Sequence, residues 1–123
     1  MTLPRRFRPA PKARAGRAPI GGMNRTEQSY AQYLDWQVRV GSVSEYYFEE
    51  FKIRLANRTW YTPDFLVVLA DGTVQWHEVK GFMEDDAAVK LKVTSRLFWR
   101  FPVILVKAGP RGAWSFTEVS DGL

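Results

Sequence analysis

The 123-residue chain has no cysteine and a single histidine, His77. The first lack excludes disulfide stapling, thiolate zinc sites, iron-sulfur clusters and cysteine nucleophiles, and the second excludes a multi-histidine metal cluster. Long apolar runs are also missing, since none approaches the roughly 18 residues of a membrane-spanning helix. The N-terminus is cationic but has no apolar stretch behind it, so it does not read as a signal peptide. It also lacks serine, which argues against an organellar transit peptide. These absences predict a soluble, cytoplasmic protein without a membrane partner. What remains, 46% apolar and 15% aromatic residues, suffices for one globular core.

The net charge of +5 is unevenly placed. Residues 1–22 hold Arg5, Arg6, Arg8, Lys12, Arg14 and Arg17 with no anion, together with four of the seven prolines. Taking those six from the 18 cations leaves 12 against 13 anions, so residues 23–123 are close to neutral. The division predicts a disordered basic arm over 1–22 and a single folded domain over 23–123. The six cations suit a phosphate-binding arm, each engaged charge steepening the salt dependence of binding. A solubilising leader is the plain alternative.

Hydrophobic spacing supplies the elements. Tyr30, Tyr33, Leu34 and Val38 fall on one stripe of a helix over about 24–38, stopped by Gly41. Ser44 to Leu55 alternates as a strand, Asn57-Arg58 turns the chain, and Trp60 to Leu69 forms a second, interior strand. Asp71-Gly72 signals a hairpin into a third strand, Thr73 to Lys80. Asp85 or Asp86 can cap a second helix to about Phe98, with Ala87, Ala88, Leu91, Thr94 or Ser95, and Phe98 facing inward. After Pro102 come a buried strand, Val103 to Lys107, and an edge strand, Trp114 to Val119. The expected order is α-β-β-β-α-β-β, an α/β (α+β) fold with a mixed central sheet flanked by helices.

Candidate chemistry concentrates in Pro63-Asp64 and Glu78-Val79-Lys80, on two strands of one hairpin. A two-residue turn at Asp71-Gly72 would put Asp64 on the face of Val79 and leave Glu78 behind the sheet. A three-residue loop, Ala70-Asp71-Gly72 with Gly72 left-handed, instead sets Asp64 opposite Glu78 and adds Lys80 to that face. Leu66, Val68, Val74 and Trp76 would then pack beneath the second helix. Two carboxylates about 4 Å apart repel by roughly 4 kcal/mol at an effective dielectric near 20. Lys80 could offset this alone, but hard oxygen ligands so spaced are what Mg²⁺ prefers.

The run Trp60-Tyr61-Thr62-Pro63-Asp64-Phe65-Leu66, then Glu78-Val79-Lys80-Gly81-Phe82, then Asp85-Asp86, resembles the PD-(D/E)xK nuclease superfamily. Within it, the sequence is most similar to the bacteriophage endonuclease I family, which resolves Holliday junctions. The likeness extends upstream to Glu27 in the opening helix and to Tyr47-Phe48-Glu49-Glu50-Phe51-Lys52, and covers about 24–106. It implies a restriction-endonuclease-like core and Mg²⁺-dependent hydrolysis of DNA phosphodiesters, with Mn²⁺ able to substitute, in a bacterial or phage-infected cell. Asp64, Glu78, the Val79 carbonyl and Glu27 would hold the metal or its water, and Lys80 would orient or activate the attacking water. It also implies a homodimer acting on branched DNA in recombination, domain-swapped through the Glu45 to Leu55 strand.

Plainer roles compete at several positions. Glu27 lies three residues after Asn24, the spacing of a capping box. Glu78 and Lys80 could be an exposed ion pair, and Pro63 a strand-entry proline. His77 points away from Glu78 and reads as structural. Lys90 and Arg58 are further candidates for DNA contact, against ordinary surface charges. Three other functions stay open: nicking or double-strand cleavage of plain duplex, a catalytically idle DNA-binding module of the same fold, and a small RNA-binding protein. The last is disfavoured by the carboxylates on the expected sheet face.

Overall fold

The computed structural model describes residues 23–80 and 85–120. The arm expected over 1–22, with its six cations, lies outside the described residues, as do Gly81 and Phe82 of the motif.

Helix α1 spans Arg25–Val40. Asn24 stands in extended backbone before it; its Oδ1 accepts the Glu27 N–H at 2.8 Å, and Glu27 Oε1 accepts the Asn24 N–H at 2.9 Å. This reciprocal pair satisfies two backbone donors that a helix start leaves open. Gly41, at φ 90°, ends the helix in the left-handed conformation and returns its N–H to Gln37 O. Tyr30, Ala31 and Leu34 are buried, whereas the expected stripe member Val38 is exposed. Successive i+4 steps drift by about 40° at 3.6 residues per turn, so Val38 has rotated off the face that Tyr30 begins.

The strands are β1 (Val43–Phe48), β2 (Ile53–Ala56), β3 (Thr59–Tyr61), β4 (Phe65–Leu69), β5 (Val74–Val79), β6 (Val103–Ala108) and β7 (Trp114–Val119), with α2 (Asp85–Leu97) between β5 and β6. Each of the first two expected strands is therefore broken in two, and the order is α-β-β-β-β-β-α-β-β. The first break falls at Glu49, whose φ of 49° is incompatible with a continuing strand. The second falls at Pro63, which has no N–H to give a ladder. The fragments β2 and β3 pair with each other, outside the main sheet.

The main sheet runs β1-β4-β5-β6-β7, antiparallel except for β5 beside β6. The protein is thus a mixed α+β fold with a five-stranded mixed sheet and two helices. In the β4–β5 hairpin Phe65 pairs with His77, Leu66 with Trp76, and Val68 with Val74. That is the register of the three-residue loop, and Gly72 is left-handed at φ 91°.

The sheet separates two apolar clusters. Tyr30, Ala31 and Leu34 of α1 pack with Tyr46, Phe48, Phe65, Val67, Val79 and Val106. On the opposite face Leu91 of α2 joins Ile53, Tyr61, Trp76 and Val103, with Leu66 and Phe98 at its margin. Leu66 and Trp76 therefore lie on the α2 side as expected, while Val68 and Val74, farther along, are half-buried. Thr94, not Ser95, is the inward polar residue of α2, its hydroxyl donating to Lys90 O at 2.8 Å. Among the described residues no helix is long and apolar enough to cross a membrane.

Candidate metal centre

Antiparallel pairing of Phe48 with Phe65, and of Phe65 with His77, brings the end of β1, the start of β4 and the end of β5 level at one end of the sheet. The first turn of α1 reaches the same place. Each segment delivers a carboxylate. Glu27, Glu49 and Asp64 can each present an oxygen such that all three atoms lie within 4.8 Å of one another.

The local backbone holds this arrangement. The capping box anchors Glu27 through Oε1, so its structural and candidate functional roles coexist. The Val79 N–H donates to Asp64 Oδ2 at 2.9 Å. The Glu49 N–H donates to Asp64 O at 2.9 Å, which stabilises the left-handed turn there. A non-glycine residue in that conformation costs of order 1–2 kcal/mol, and its effect is to aim Glu49 at Asp64 and not along a strand.

Glu78 lies beside the trio. Its Oε1 accepts the buried Tyr61 hydroxyl at 2.5 Å and the Asp64 N–H at 3.4 Å, and its Oε2 meets Lys80 Nζ at 3.4 Å. Both oxygens are thus engaged, and Glu78 positions Lys80 while touching the Asp64 segment. Val79 enters the site through its N–H.

The electrostatics are those of an undercompensated anion cluster. Glu27, Asp64 and Glu78 are all less than a tenth exposed. Burial raises the Asp64 carboxyl well above the usual range, the Glu78 and Glu27 charges reinforce this, and the Val79 N–H and Lys80 only partly oppose it. Burial likewise raises Glu78, against the Tyr61 and Lys80 contacts, and raises Glu49 together with the Glu27 and Glu78 charges. For Lys80 burial acts downward, but the facing carboxylates outweigh it and hold the ammonium above its ordinary pKa. Each carboxylate pair at this spacing repels by about 3–4 kcal/mol at an effective dielectric near 20. One half-exposed lysine does not balance four carboxylates. The donor set is all hard oxygen, which fits Mg²⁺ or Mn²⁺ and not a soft metal.

No family model, curated protein or solved structure matches this chain.

Of the residues singled out from sequence, Glu27, Asp64, Glu78, Val79 and Lys80 converge at this end of the sheet. Lys90 is half-buried on α2, and Arg58 is exposed in the β2–β3 turn. His77 faces α1, where Nδ1 accepts the Tyr30 hydroxyl at 2.6 Å and Nε2–H donates to Gln75 Oε1 at 2.8 Å. Burial lowers its pKa from 6.5 to about 4, which keeps the ring neutral near pH 7. Glu49 is the member that sequence reading left without a role. Read as part of one continuous strand it shares a face with Tyr47 and Phe51, and its place in the Tyr47–Lys52 run gives it no role; only the break at that residue turns it into the site.

Proposed function

We propose that the protein is a metal-dependent DNA endonuclease with a PD-(D/E)xK, restriction-endonuclease-like core, acting on branched DNA such as Holliday junctions. The observation carrying this reading is the convergence of Glu27, Glu49 and Asp64 within 4.8 Å, with the Glu78–Lys80 pair alongside.

Glu27, Glu49 and Asp64 would hold Mg²⁺ or Mn²⁺, with a carboxylate oxygen of Glu27 and of Asp64 anchored by a backbone N–H and the Glu49 backbone tied to Asp64 O. The bound ion would supply Lewis-acid polarisation of a phosphodiester and acidification of water. Lys80, held by Glu78, offers an ammonium that orients the attacking water and offsets the charge developing on phosphate. Tyr61 keeps the Glu78 carboxylate fixed from the buried side. The reaction is in-line hydrolysis, in which a water oxygen bonds to phosphorus as the bond to the leaving sugar oxygen breaks. Symmetric cuts across a branch need two such sites in one assembly, so the working form is proposed as a homodimer, its subunits exchanging the β1 region if swapped.

The test is Mg²⁺-dependent cleavage of end-labelled four-way junction, matched duplex and single strand, with Lys80→Ala as control. Symmetric junction cuts that vanish in the control are expected. Equal cutting of duplex would keep the nuclease and discard branch selectivity. Tight DNA binding without cutting in either Mg²⁺ or Mn²⁺ would leave an idle DNA-binding module.

A further inference from the structure

Between Glu50 and Asp64 the chain carries Lys52, Arg54 and Arg58 and no carboxylate. Elsewhere in residues 23–123 nine cations face 13 anions, so this +3 segment is the basic part of an otherwise acidic region. It is also the β2–β3 hairpin, which stands apart from the main sheet. Ile53 and Tyr61, paired across it, bury their side chains in the α2-side cluster. The other face presents Lys52, Arg54 and Trp60, all exposed. Arg54 and Trp60 are cross-strand partners, and Lys52 Nζ sits 5.0 Å from the Trp60 ring centroid, so the indole seats one cation beside another. Arg58 occupies the tip, exposed, at φ 58°.

The hairpin's position gives this charge a direction. It is the chain between Glu49 and Asp64, two of the three clustered carboxylates, and Tyr61 at its base donates to Glu78. A polyanion held at the carboxylates therefore lies beside the chain that forms the hairpin. A four-residue strand is about 13 Å long at 3.3 Å per residue, or about four steps of a duplex at 3.4 Å per base.

We infer that the β2–β3 hairpin is a DNA-backbone clamp, in which Lys52, Arg54 and Arg58 engage phosphates flanking the one held at the carboxylate cluster. The inference rests on the nuclease reading and adds where the substrate strand runs. Charge complementarity assigns the occupant: a basic hairpin whose two ends lead into an acidic site suits an anion polymer whose reacting phosphate brings its own counter-ion.

The test uses full-length Lys80→Ala, to suppress cleavage, and the same chain carrying Lys52→Ala/Arg54→Ala/Arg58→Ala. Binding of fluorescein-labelled four-way junction and duplex is measured between 50 and 200 mM salt. Loss of three phosphate contacts should lower the slope of log K against log salt by about 2.7, at about 0.9 per contact, with at least a tenfold weaker Kd at the lower salt. An unchanged slope and Kd would overturn the clamp while leaving the nuclease reading intact. No DNA binding by the Lys80→Ala parent would overturn both, and tighter binding of an RNA duplex than of the DNA duplex would overturn the DNA assignment. Because all three side chains are exposed, thermal melting should be unchanged; if alanine lowers it, the matching triple glutamine variant replaces it.

Discussion

Asp64 and His77 lie on opposite faces of the β4–β5 hairpin and impose opposite pH dependences. The raised Asp64 pKa means that the fold prefers the neutral acid. Its contribution is present below the ordinary aspartate value of about 3.9 and is lost as pH rises through the folded-state pKa. Without divalent cation, Asp64→Asn should therefore melt higher than wild type near neutral pH, and the gap should close toward pH 4. Added Mg²⁺ should raise the wild-type melting temperature and not that of Asp64→Asn. For His77 the folded pKa is depressed from 6.5 to about 4 by burial, worth about 3 kcal/mol. That contribution is full above pH 6.5 and lost as pH falls toward 4. Acid unfolding of wild type should thus begin below pH 6.5 and be blunted in His77→Gln, followed by circular dichroism. A wild-type curve flat between pH 6.5 and 4 would contradict the neutral, doubly bonded ring.

Among the elements, the start of α1 couples stability to the site, because the residue closing the capping box is also the helix carboxylate of the cluster. Asn24→Ala should cost about 1 kcal/mol, since the Glu27 N–H loses its side-chain acceptor, and should also weaken cleavage by fraying the helix start that carries Glu27. Asn24→Ser, which restores a cap, should recover both; recovery of stability without cleavage would separate Glu27 from the chemistry. The β4–β5 register found was one of the two that the Asp71-Gly72 signal allowed, and it is the loop ending on left-handed Gly72 that sets the Asp64 segment against Glu78. The breaks in the neighbouring strands were not legible in the sequence. The alternation of Phe51, Ile53 and Leu55 continues through Glu49 as if the strand did, and a positive φ at glutamate is imposed by its tertiary bond to Asp64 O, not by local preference. Consequently Glu49, whose role depends on that break, stayed hidden, while Asp64, Glu78 and Lys80 could be named from their places on one hairpin and Glu27 only from the family resemblance. The inward face of α2 was readable at Leu91, but the choice between Thr94 and Ser95 was not, because both lie within one residue's rotation of the sheet.

For the whole molecule, the two helices followed from periodicity, whereas their placement on opposite faces and the strand order β1-β4-β5-β6-β7 required pairings that no local pattern encodes. Resolution of a branch predicts a dimer of 14.2-kDa protomers in sedimentation; a monomer that cuts at full rate would favour nicking of single strands. The carboxylate trio is the centre of this account, and Mg²⁺ dependence of junction cleavage by wild type and Glu49→Gln tests it most directly. Glu49→Gln should shift the Mg²⁺ midpoint upward by tenfold or more and slow cleavage, while DNA affinity is kept. An identical Mg²⁺ dependence and rate in the two proteins would contradict the proposed metal centre.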